Sequence, residues 1–239
     1  MFKQAPTQLR STQTRNHILA TALTTFRQRG LDAATMRDIS KDAGVALGAA
    51  YYYFPSKEAI LQAYYDEVQQ QHHARVLAAF AANRLDFEDR LKAAFHTKLD
   101  ILLGDRKLLG ALFRYTGEPH HPLSTLGPGT QQNRQQSIAI FELAIGDEKL
   151  PADIRGILPT ALWALHMGIL LYFIYDTSLH QERTRKLVDG ILSLVVQLLS
   201  LAKLPILKPF RGTMLSLLRD AGLFPDAAAI PLDTLEETP

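Results

Sequence analysis

The stretch "AGVALGAAYYYFPSKEAI", residues 43–60, decides the fold of this chain. Small residues precede three consecutive tyrosines, Tyr51–Tyr53, and the sequence Phe-Pro-Ser-Lys follows them. Because the α region is disfavoured for a residue before proline, a helix that contains the tyrosines is expected to end at Phe54. Ser56 is a favoured N-cap residue, so another helix is expected to begin there. The stretch therefore predicts a short helix over 46–53 followed by a longer one.

Two further helices are predicted upstream of this stretch. Between residues 11 and 29, apolar side chains recur at the spacing of one helical face, at Ile18, Leu19, Ala22, Leu23 and Phe26. Gly30 is expected to end this helix. Thr35 and Asp38 have the spacing of a capping box for a second helix, which Gly44 stops. Two short helices joined by a turn at Gly44 form a helix-turn-helix, whose second helix enters the major groove of DNA.

A helix-turn-helix also accounts for the three phenols. Neighbouring residues on an α-helix are about 100° apart, so Tyr51, Tyr52 and Tyr53 cannot share one environment. Some are expected to pack inward, while others reach phosphate oxygens or thymine methyl groups. Lys57, at the start of the next helix, adds a cation that favours phosphate.

The rest of the chain is also predicted to be helical, so the fold class is all-α. Further helices are expected at 56–83, 86–103, 105–116, 131–145, 152–177, 181–204 and 210–221. The loop at 117–129 has three glycines and three prolines and cannot be helical throughout. Pro159 is expected to kink or restart its helix. The sequence "QQQHH" at 69–73 is interpreted as an ordinary polar face.

Composition bounds the class of protein. The chain has 239 residues, is 47% hydrophobic and contains no cysteine, which fits a globular cytoplasmic protein. Its net charge of +2 is uneven, because residues 1–57 hold eight Lys/Arg against three Asp/Glu. The N-terminus lacks the apolar core of a secretory signal. The apolar stretch at 161–175 is shorter than the roughly 20 residues of a membrane span, so no membrane association is expected.

Enzymatic and metal chemistry lack a motif in this sequence. No two histidines stand three or four residues apart, as a helical metal pair requires. A nucleophile elbow, a Walker loop and a dinucleotide-binding fingerprint are also missing. We therefore expect a protein that is not an enzyme and that uses no cofactor or metal.

The segment "TMRDISKDAGVALGAAYYYFPSKEAIL", residues 35–61, resembles the TetR family of bacterial transcriptional regulators almost position by position. With the first helix, the resemblance covers residues 12–61. It implies a phosphate contact from Thr35 and a base contact from Arg37. It also implies that Leu47, Gly48 and Ala49 form the exposed recognition face.

The resemblance further implies that Tyr51, Tyr53 and Lys57 contact phosphate or base. It places the other side chains of this segment in the small core, with Tyr52 the uncertain member; these are Ala43, Val45, Ala50, Tyr52 and Phe54. Thr35 could instead be an N-cap alone, Arg37 a solvated surface residue, and Tyr51 and Tyr53 packing residues only.

The chain departs from the family pattern at the recognition helix. Ala46 replaces the usual serine, and the face that follows it has almost no hydrogen-bonding capacity before the tyrosines. We therefore expect direct readout by Arg37 on a guanine and by methyl contacts of Leu47 and Ala49 with thymines. DNA shape would supply the remaining specificity.

The family layout implies an N-terminal three-helix DNA-binding domain and a larger helical ligand-binding and dimerisation domain. We assign them to 1–56 and 57–204, with a C-terminal extension at 205–239 that carries a short helix. The helices near 152–177 and 181–204 are too apolar all round to face water, which predicts a homodimer through them. Two-fold symmetry would then place two recognition helices on successive major grooves of a double-stranded DNA operator.

The larger domain is expected to hold a cavity for a small apolar or amphipathic effector. Its candidate lining residues are Phe95, Phe113, Trp163, His166, Tyr172 and Tyr175. Each of these side chains could equally be an ordinary core residue.

The predicted function is that of a ligand-responsive dimeric transcriptional repressor, which the effector releases from a palindromic operator. Three alternatives remain open on sequence grounds. The chain could be an activator, a regulator without a small ligand, or a helical hydrophobe-binding protein whose specific DNA binding has decayed.

Overall fold

The structure is a computed structural model that describes residues 6–204, 206 and 208–220. Within this part of the chain there are helices and no strands. The α-helices are α1 (Pro6–Arg29), α2 (Met36–Asp42), α3 (Leu47–Tyr53), α4 (Lys57–Ala82), α5 (Phe87–Leu102), α6 (Arg106–Thr116), α7 (Gln131–Ile145), α8 (Ala152–Tyr175), α9 (Glu182–Ala202) and α10 (Lys208–Asp220). These bounds confirm the predicted all-α fold and agree with the predicted helices to within a few residues.

The N-terminal helices form a small unit that is joined to a larger bundle. α1 packs on α2, α4 and α6, and α2 packs on α3. In the larger bundle α5 is central, because it contacts α4, α7, α8 and α9. Buried side chains from both parts belong to one connected hydrophobic core. A change in the bundle can therefore reach the helix-turn-helix through α4 and α6.

Glycines end the first two helices, as the sequence predicts. Gly30 has φ +85° and Gly44 has φ +65°, a left-handed conformation that side chains with a Cβ rarely adopt. Phe54 has an extended backbone and is almost fully buried, so α3 stops before Pro55. Ser56 accepts a hydrogen bond from the Ala59 N–H and caps α4.

The loop between α6 and α7 is irregular, as expected, and closes on itself. Thr130 Oγ1 donates to the Ser124 carbonyl oxygen at 2.5 Å, and the Thr125 N–H donates to Thr116 O at 3.0 Å. The turn is tight, since a Cβ on Gly129 would lie 2.5 Å from the carbonyl oxygen of Pro122. One wall of the larger bundle is therefore made by a loop with a defined conformation.

Two expectations about the bundle need correction, the first of them only in part. α8 runs without interruption through Pro159, so the helix does not restart there, while the alternative expectation of a kink at Pro159 stays a prediction. The carbonyl that loses its partner belongs to Arg155 in the exposed first turns of α8, where solvent can bond it. The segment 69–73 is not wholly a polar face, because His72 is fully buried between Val68 and Val76 on the inner side of α4.

The predicted final helix is present as α10. The end of the predicted C-terminal extension, residues 221–239, lies outside the described residues.

Candidate DNA-binding surface and effector cavity

α2 and α3 are held at a fixed angle by a small shared core. Ile39 of α2, Ala50 of α3 and Phe54 are all buried, and they pack with α1 and α4. A ring nitrogen of His17 in α1 lies 3.1 Å from the carbonyl oxygen of Ala43, which fixes the end of α2. The outer face of α3 is therefore presented by a rigid support, as recognition of a DNA groove requires.

α2 begins with the predicted capping box. Asp38 N–H donates to Thr35 Oγ1 at 3.2 Å, and Thr35 N–H donates back to Asp38 Oδ2 at 3.0 Å. These bonds, with the Thr35 side chain as the largest cause, lower the pKa of Asp38. The Thr35 hydroxyl donates to the same carboxylate, so the structural role of Thr35 is filled. Arg37 on the first turn of α2 is exposed, with no salt bridge among the described residues.

The three tyrosines of α3 divide differently from the sequence expectation. Tyr51 is 47% exposed and Tyr52 is 80% exposed, whereas Tyr53 is half-buried and packs against the core. Placing Tyr52 in the core is therefore wrong. Gly48, Tyr51 and Tyr52 are spaced i, i+3 and i+4 and form one exposed face. Tyr53 supports this face, because its ring meets that of Tyr52 edge-on at 5.1 Å.

The remaining predicted recognition residues lie around this face. Ala46 and Gly48 are exposed, while Leu47 and Ala49 are half-buried. Lys57 is half-buried, and its ammonium donates to the Leu31 carbonyl oxygen at 2.9 Å. An ammonium has three donors, so this bond positions Lys57 against the loop after α1 and leaves donors for a phosphate.

Charge pairing leaves the N-terminal helices with unpaired cations, which sequence reasoning missed. Arg29 pairs with Asp38 and Asp42, each at 3.0 Å, and Arg114 pairs with Asp32 at 2.8 Å. All three acids of this region are therefore engaged. The exposed cations without a carboxylate partner among the described residues are Arg10, Arg15, Arg37 and Lys41. Such an excess of positive charge favours a polyanion.

A cavity of about 130 Å³ lies inside the larger bundle. Helices α4–α8 and the loop before α7 contribute its walls. Of the six predicted lining residues, Phe113, Trp163 and His166 border this cavity. The other wall residues are mostly apolar, including Val68, Leu102, Leu109, Leu112, Leu123 and Leu170.

The other three predicted lining residues lie elsewhere. Tyr172 and Tyr175 are 41% and 74% exposed on the outer side of α8, because they lie on the face opposite Phe173. Phe95 is fully buried behind the cavity wall, where its ring packs on Phe141 at 5.3 Å and on His166 at 4.9 Å. Helical periodicity alone could not tell these positions from cavity-lining ones.

Lys98 is a buried polar residue of this cavity that was not among the predicted lining residues. Lys98 on α5 is 5% exposed, and its ammonium donates to Gln69 Oε1 at 2.8 Å. Burial lowers the pKa of Lys98 to about 7. Its register could have identified it, since it lies on the apolar face of α5 between Leu91, Phe95 and Leu102.

Two buried histidines lie close to Lys98. Among the described residues, neither ring nitrogen of His166 has a hydrogen-bond partner, and burial holds the pKa of this ring well below its ordinary value. His72 bonds the Ala94 carbonyl oxygen at 2.8 Å, and burial lowers its pKa to about 3. Both rings are therefore neutral at physiological pH.

An ionic junction links the cavity region to the helix-turn-helix. Asp105, just before α6, accepts a hydrogen bond from Tyr64 Oη at 2.7 Å and one from Arg27 Nε at 2.5 Å. Tyr64 borders the cavity, and Arg27 belongs to α1. Burial, followed by the charge of Asp105, raises the pKa of Tyr64, so its hydroxyl stays protonated.

Comparison with known proteins identifies the class to which this fold belongs. Residues 18–64 match the model "Bacterial regulatory proteins, tetR family", and residues 90–211 match "Tetracyclin repressor-like, C-terminal domain". The chain therefore belongs to the TetR family, and it is a helix-turn-helix transcriptional regulator. This assignment does not favour the alternative of a hydrophobe-binding protein with decayed DNA binding.

Several relatives match over different lengths. The transcriptional regulator TtgR of Pseudomonas putida is 31% identical over 69% of this chain and 77% of its own length. The transcriptional repressor KstR2 of Rhodococcus jostii is 28% identical over 59% of this chain and 69% of its own. The regulator YuxN of Bacillus subtilis is 43% identical, but the match spans only 19% of that protein.

Solved structures agree on the fold. A TetR transcriptional regulator from Nitrosomonas europaea has a TM-score of 0.63 at 18% identity, covering 77% of this chain and 98% of the other. The fatty acid degradation regulator FadR from Bacillus halodurans has a TM-score of 0.56 at 18% identity, covering 80% and 96%.

One described helix, α8, is long and apolar enough by composition to cross a membrane, with a mean hydropathy of 1.8. Its inner side is buried against α6, α7 and α9.

Proposed function

We propose that this protein is a dimeric repressor that binds a palindromic DNA operator and is released from it by a small, mostly apolar effector. The observation that carries the proposal is the exposed phenolic face of α3 next to unpaired cations, in a chain whose bundle encloses a cavity. The protein acts in the cytoplasm and catalyses no reaction. The names of its relatives, all transcriptional regulators or repressors, support this role.

Operator binding combines phosphate contacts with few base contacts. Tyr51 and Tyr52 offer hydroxyls to phosphates, and Arg37 offers a bidentate contact to guanine that is worth about 1–3 kcal/mol of discrimination. Leu47 and Ala49 supply methyl surface for thymine. Thr35 and Lys57 also contact phosphate, beyond the capping and loop contacts described above. Replacing operator thymines with uracil would then weaken binding, and unchanged affinity would disprove the methyl contacts.

Dimerisation uses the outer faces of α8 and α9. α8 exposes Leu171, Tyr172 and Tyr175, and α9 exposes Leu187, Leu194, Leu198 and Leu201. An apolar surface of this kind, on two adjacent helices, is expected to be covered by another protein surface. A second copy of this chain is the simplest partner, because two-fold symmetry joins identical faces. The two recognition helices of such a dimer match the two halves of a palindromic operator.

The effector acts by preferring a conformation in which the two α3 helices are wrongly spaced for the operator. Such coupling requires different affinities for the two conformations. α6 is placed to transmit the change, because Phe113 and Thr116 border the cavity while Arg114 and Tyr115 bond Asp32 in the loop after α1. The Asp105 junction provides a second contact between the same two regions.

The experiment that tests this function is selection of genomic DNA by the purified full chain at near-physiological salt. Titration of the recovered sequence across salt concentration follows. A palindrome with half-sites about 34–36 Å apart is the expected product. Transcription from that promoter, with and without the protein, separates repression from activation. Weak binding that ignores sequence would contradict the proposal.

A further inference from the structure

Two buried polar side chains face the same cavity without adequate partners. The Lys98 ammonium has one hydrogen bond among the described residues, to Gln69, and no carboxylate within ion-pairing distance. His166 is 1% exposed, borders the cavity and has no partner for either ring nitrogen. Buried groups of this kind cost free energy unless something bonds them. The pair therefore points to a ligand.

The unused bonding capacity of the cavity is mainly that of donors. A charged Lys98 has two N–H groups to spare, and a neutral His166 has one. Among the other polar groups of the wall, Asn133 bonds Gln62 and Asp66, and Arg134 bonds the carbonyl oxygens of Thr125 and Gly127. The Tyr65 and Ser137 hydroxyls also border the cavity, and each can donate a hydrogen bond. No carboxylate of the described residues borders the cavity. The complementary ligand group is an anion that accepts hydrogen bonds.

The apolar part of the cavity wall determines the size and chemistry of the ligand's apolar part. Trp163, Phe113, Tyr65 and several leucines surround the space. The volume of about 130 Å³ is close to that of an engineered cavity of about 150 Å³ that binds benzene. One aromatic ring or a short alkyl chain therefore fills it.

We propose that the effector is a small carboxylate whose apolar body lies between Phe113 and Trp163 and whose carboxylate accepts hydrogen bonds from Lys98 and His166. This inference rests on the effector function proposed above for the same cavity. It narrows an apolar or amphipathic effector to an acid, and it names the two residues that recognise the acid.

Binding of such an acid is coupled to a proton. With a pKa near 7 in the empty cavity, Lys98 is mostly neutral at pH 8, and an adjacent carboxylate favours its charged form. The titratable or charged groups around Lys98 are Tyr65 and His72 from α4, Arg134 from α7 and His166 from α8. Both histidines are neutral and burial raises the pKa of Tyr65, so Lys98 takes up the proton.

Isothermal titration of the full chain with benzoate and hexanoate, each beside its uncharged amide, tests the inference. At pH 7 we expect at least one acid to bind about tenfold or more tightly than its amide. Lys98→Met removes this preference and keeps the apolar volume. Lys92→Met is the matched control, because Lys92 lies on the same helix and pairs with Glu88 at the surface. It should leave the preference unchanged.

Proton uptake provides a second measurement that does not depend on a variant. Titrations in two buffers of different ionisation enthalpy should show uptake of about one proton per acid at pH 8 and almost none at pH 6. Equal affinity for acid and amide, no binding by either acid at millimolar concentration, or no uptake at pH 8 would each overturn the inference. Binding of the operator by the ligand-free protein is measured in parallel. If the ligand-free protein did not bind the operator, the proposed function would be contradicted instead.

Discussion

Tyr52 presents its phenol to solvent from the outer face of α3, whereas the Tyr53 ring supports it from inside. Tyr52→Phe should weaken operator binding about fivefold, because one hydrogen bond to phosphate of about 1 kcal/mol is lost. Tyr53→Phe should change operator binding less than about twofold, because the Tyr53 ring supports Tyr52 from inside and no phosphate hydrogen bond is expected from its hydroxyl. Fluorescence anisotropy of one labelled operator at fixed salt compares them. A larger effect at Tyr53 would mean that α3 meets DNA with a different face.

Lys98 also shapes the stability of the protein. Its pKa is about 7 in the folded chain against an ordinary value of 10.5, so between these pH values the unfolded chain binds more protons. The free energy of unfolding should therefore rise with pH across that window. Lys98→Met should be more stable by roughly 1–4 kcal/mol at pH 7 and should lack this rise. Urea denaturation at several pH values measures the free energy of unfolding of both proteins and its dependence on pH. A wild-type free energy of unfolding that does not rise with pH would mean that the Lys98 ammonium is hydrated.

The sequence pattern could have identified His72 and Lys98 as buried polar residues, but not the side chains that surround them. Val68, His72 and Val76 lie four residues apart, and Lys98 shares a helical face with Leu91 and Leu102. Periodicity therefore places both polar residues on inner faces. Whether such a residue meets a cavity or a packed wall depends on helices distant in sequence. That is why His166 borders the cavity, while Tyr172, predicted on the same grounds from the same helix, does not.

α8 and α9 are joined by a cap built around Asp176. Its carboxylate accepts hydrogen bonds from the backbone N–H groups of Ser178 and Thr184, at 2.9 and 2.8 Å, and from both of their hydroxyls. Burial alone would raise the pKa of Asp176, but these bonds together lower it well below its ordinary value. The cap therefore contributes stability at neutral pH, which is lost as the pH falls below about 3.8.

Asp176→Asn should lower the free energy of unfolding by about 1–3 kcal/mol at pH 7, since an amide is a poorer acceptor for four donors. The difference from wild type should shrink below pH 3.8, where the carboxyl of the unfolded chain begins to protonate while the folded carboxylate stays ionised. Asp100→Asn, which removes an exposed pair with Arg185, is the control and should cost less than about 1 kcal/mol. Equal losses in both variants would show that the cap adds nothing beyond surface charge.

Helix ends were predictable where local chemistry decides them. Gly30, Gly44 and Pro55 act through their own backbones, and Thr35 and Ser56 bond residues three positions away. The closed form of the loop before α7 was not predictable, because Thr130 and the tight approach at Gly129 involve loop partners without a sequence pattern. The continuity of α8 through Pro159 depended on where solvent reaches the helix.

At the scale of the whole molecule, the proposed dimer would make operator binding depend on a surface remote from DNA. One subunit presents one α3 to one half-site, so a palindrome is read tightly only by a dimer. The exposed leucines of α9 recur along one face, and Leu194 and Leu198 are each 54% exposed at its centre. In the proposed dimer, burial of such side chains would supply the free energy of association.

Leu198→Asp should convert the dimer to a monomer at micromolar concentration, because a carboxylate would be buried without a partner across the two-fold axis. Operator affinity should then fall at least about tenfold, while a single half-site is bound as before. Gln132→Asp adds the same charge to an exposed position of α7 and should leave both properties unchanged. Sedimentation equilibrium and anisotropy on matched samples measure the two effects. If Leu198→Asp dissociated yet bound the full palindrome normally, dimerisation would not be needed for operator recognition. A wild-type protein that is monomeric on DNA would contradict symmetric binding of a dimer to the palindrome.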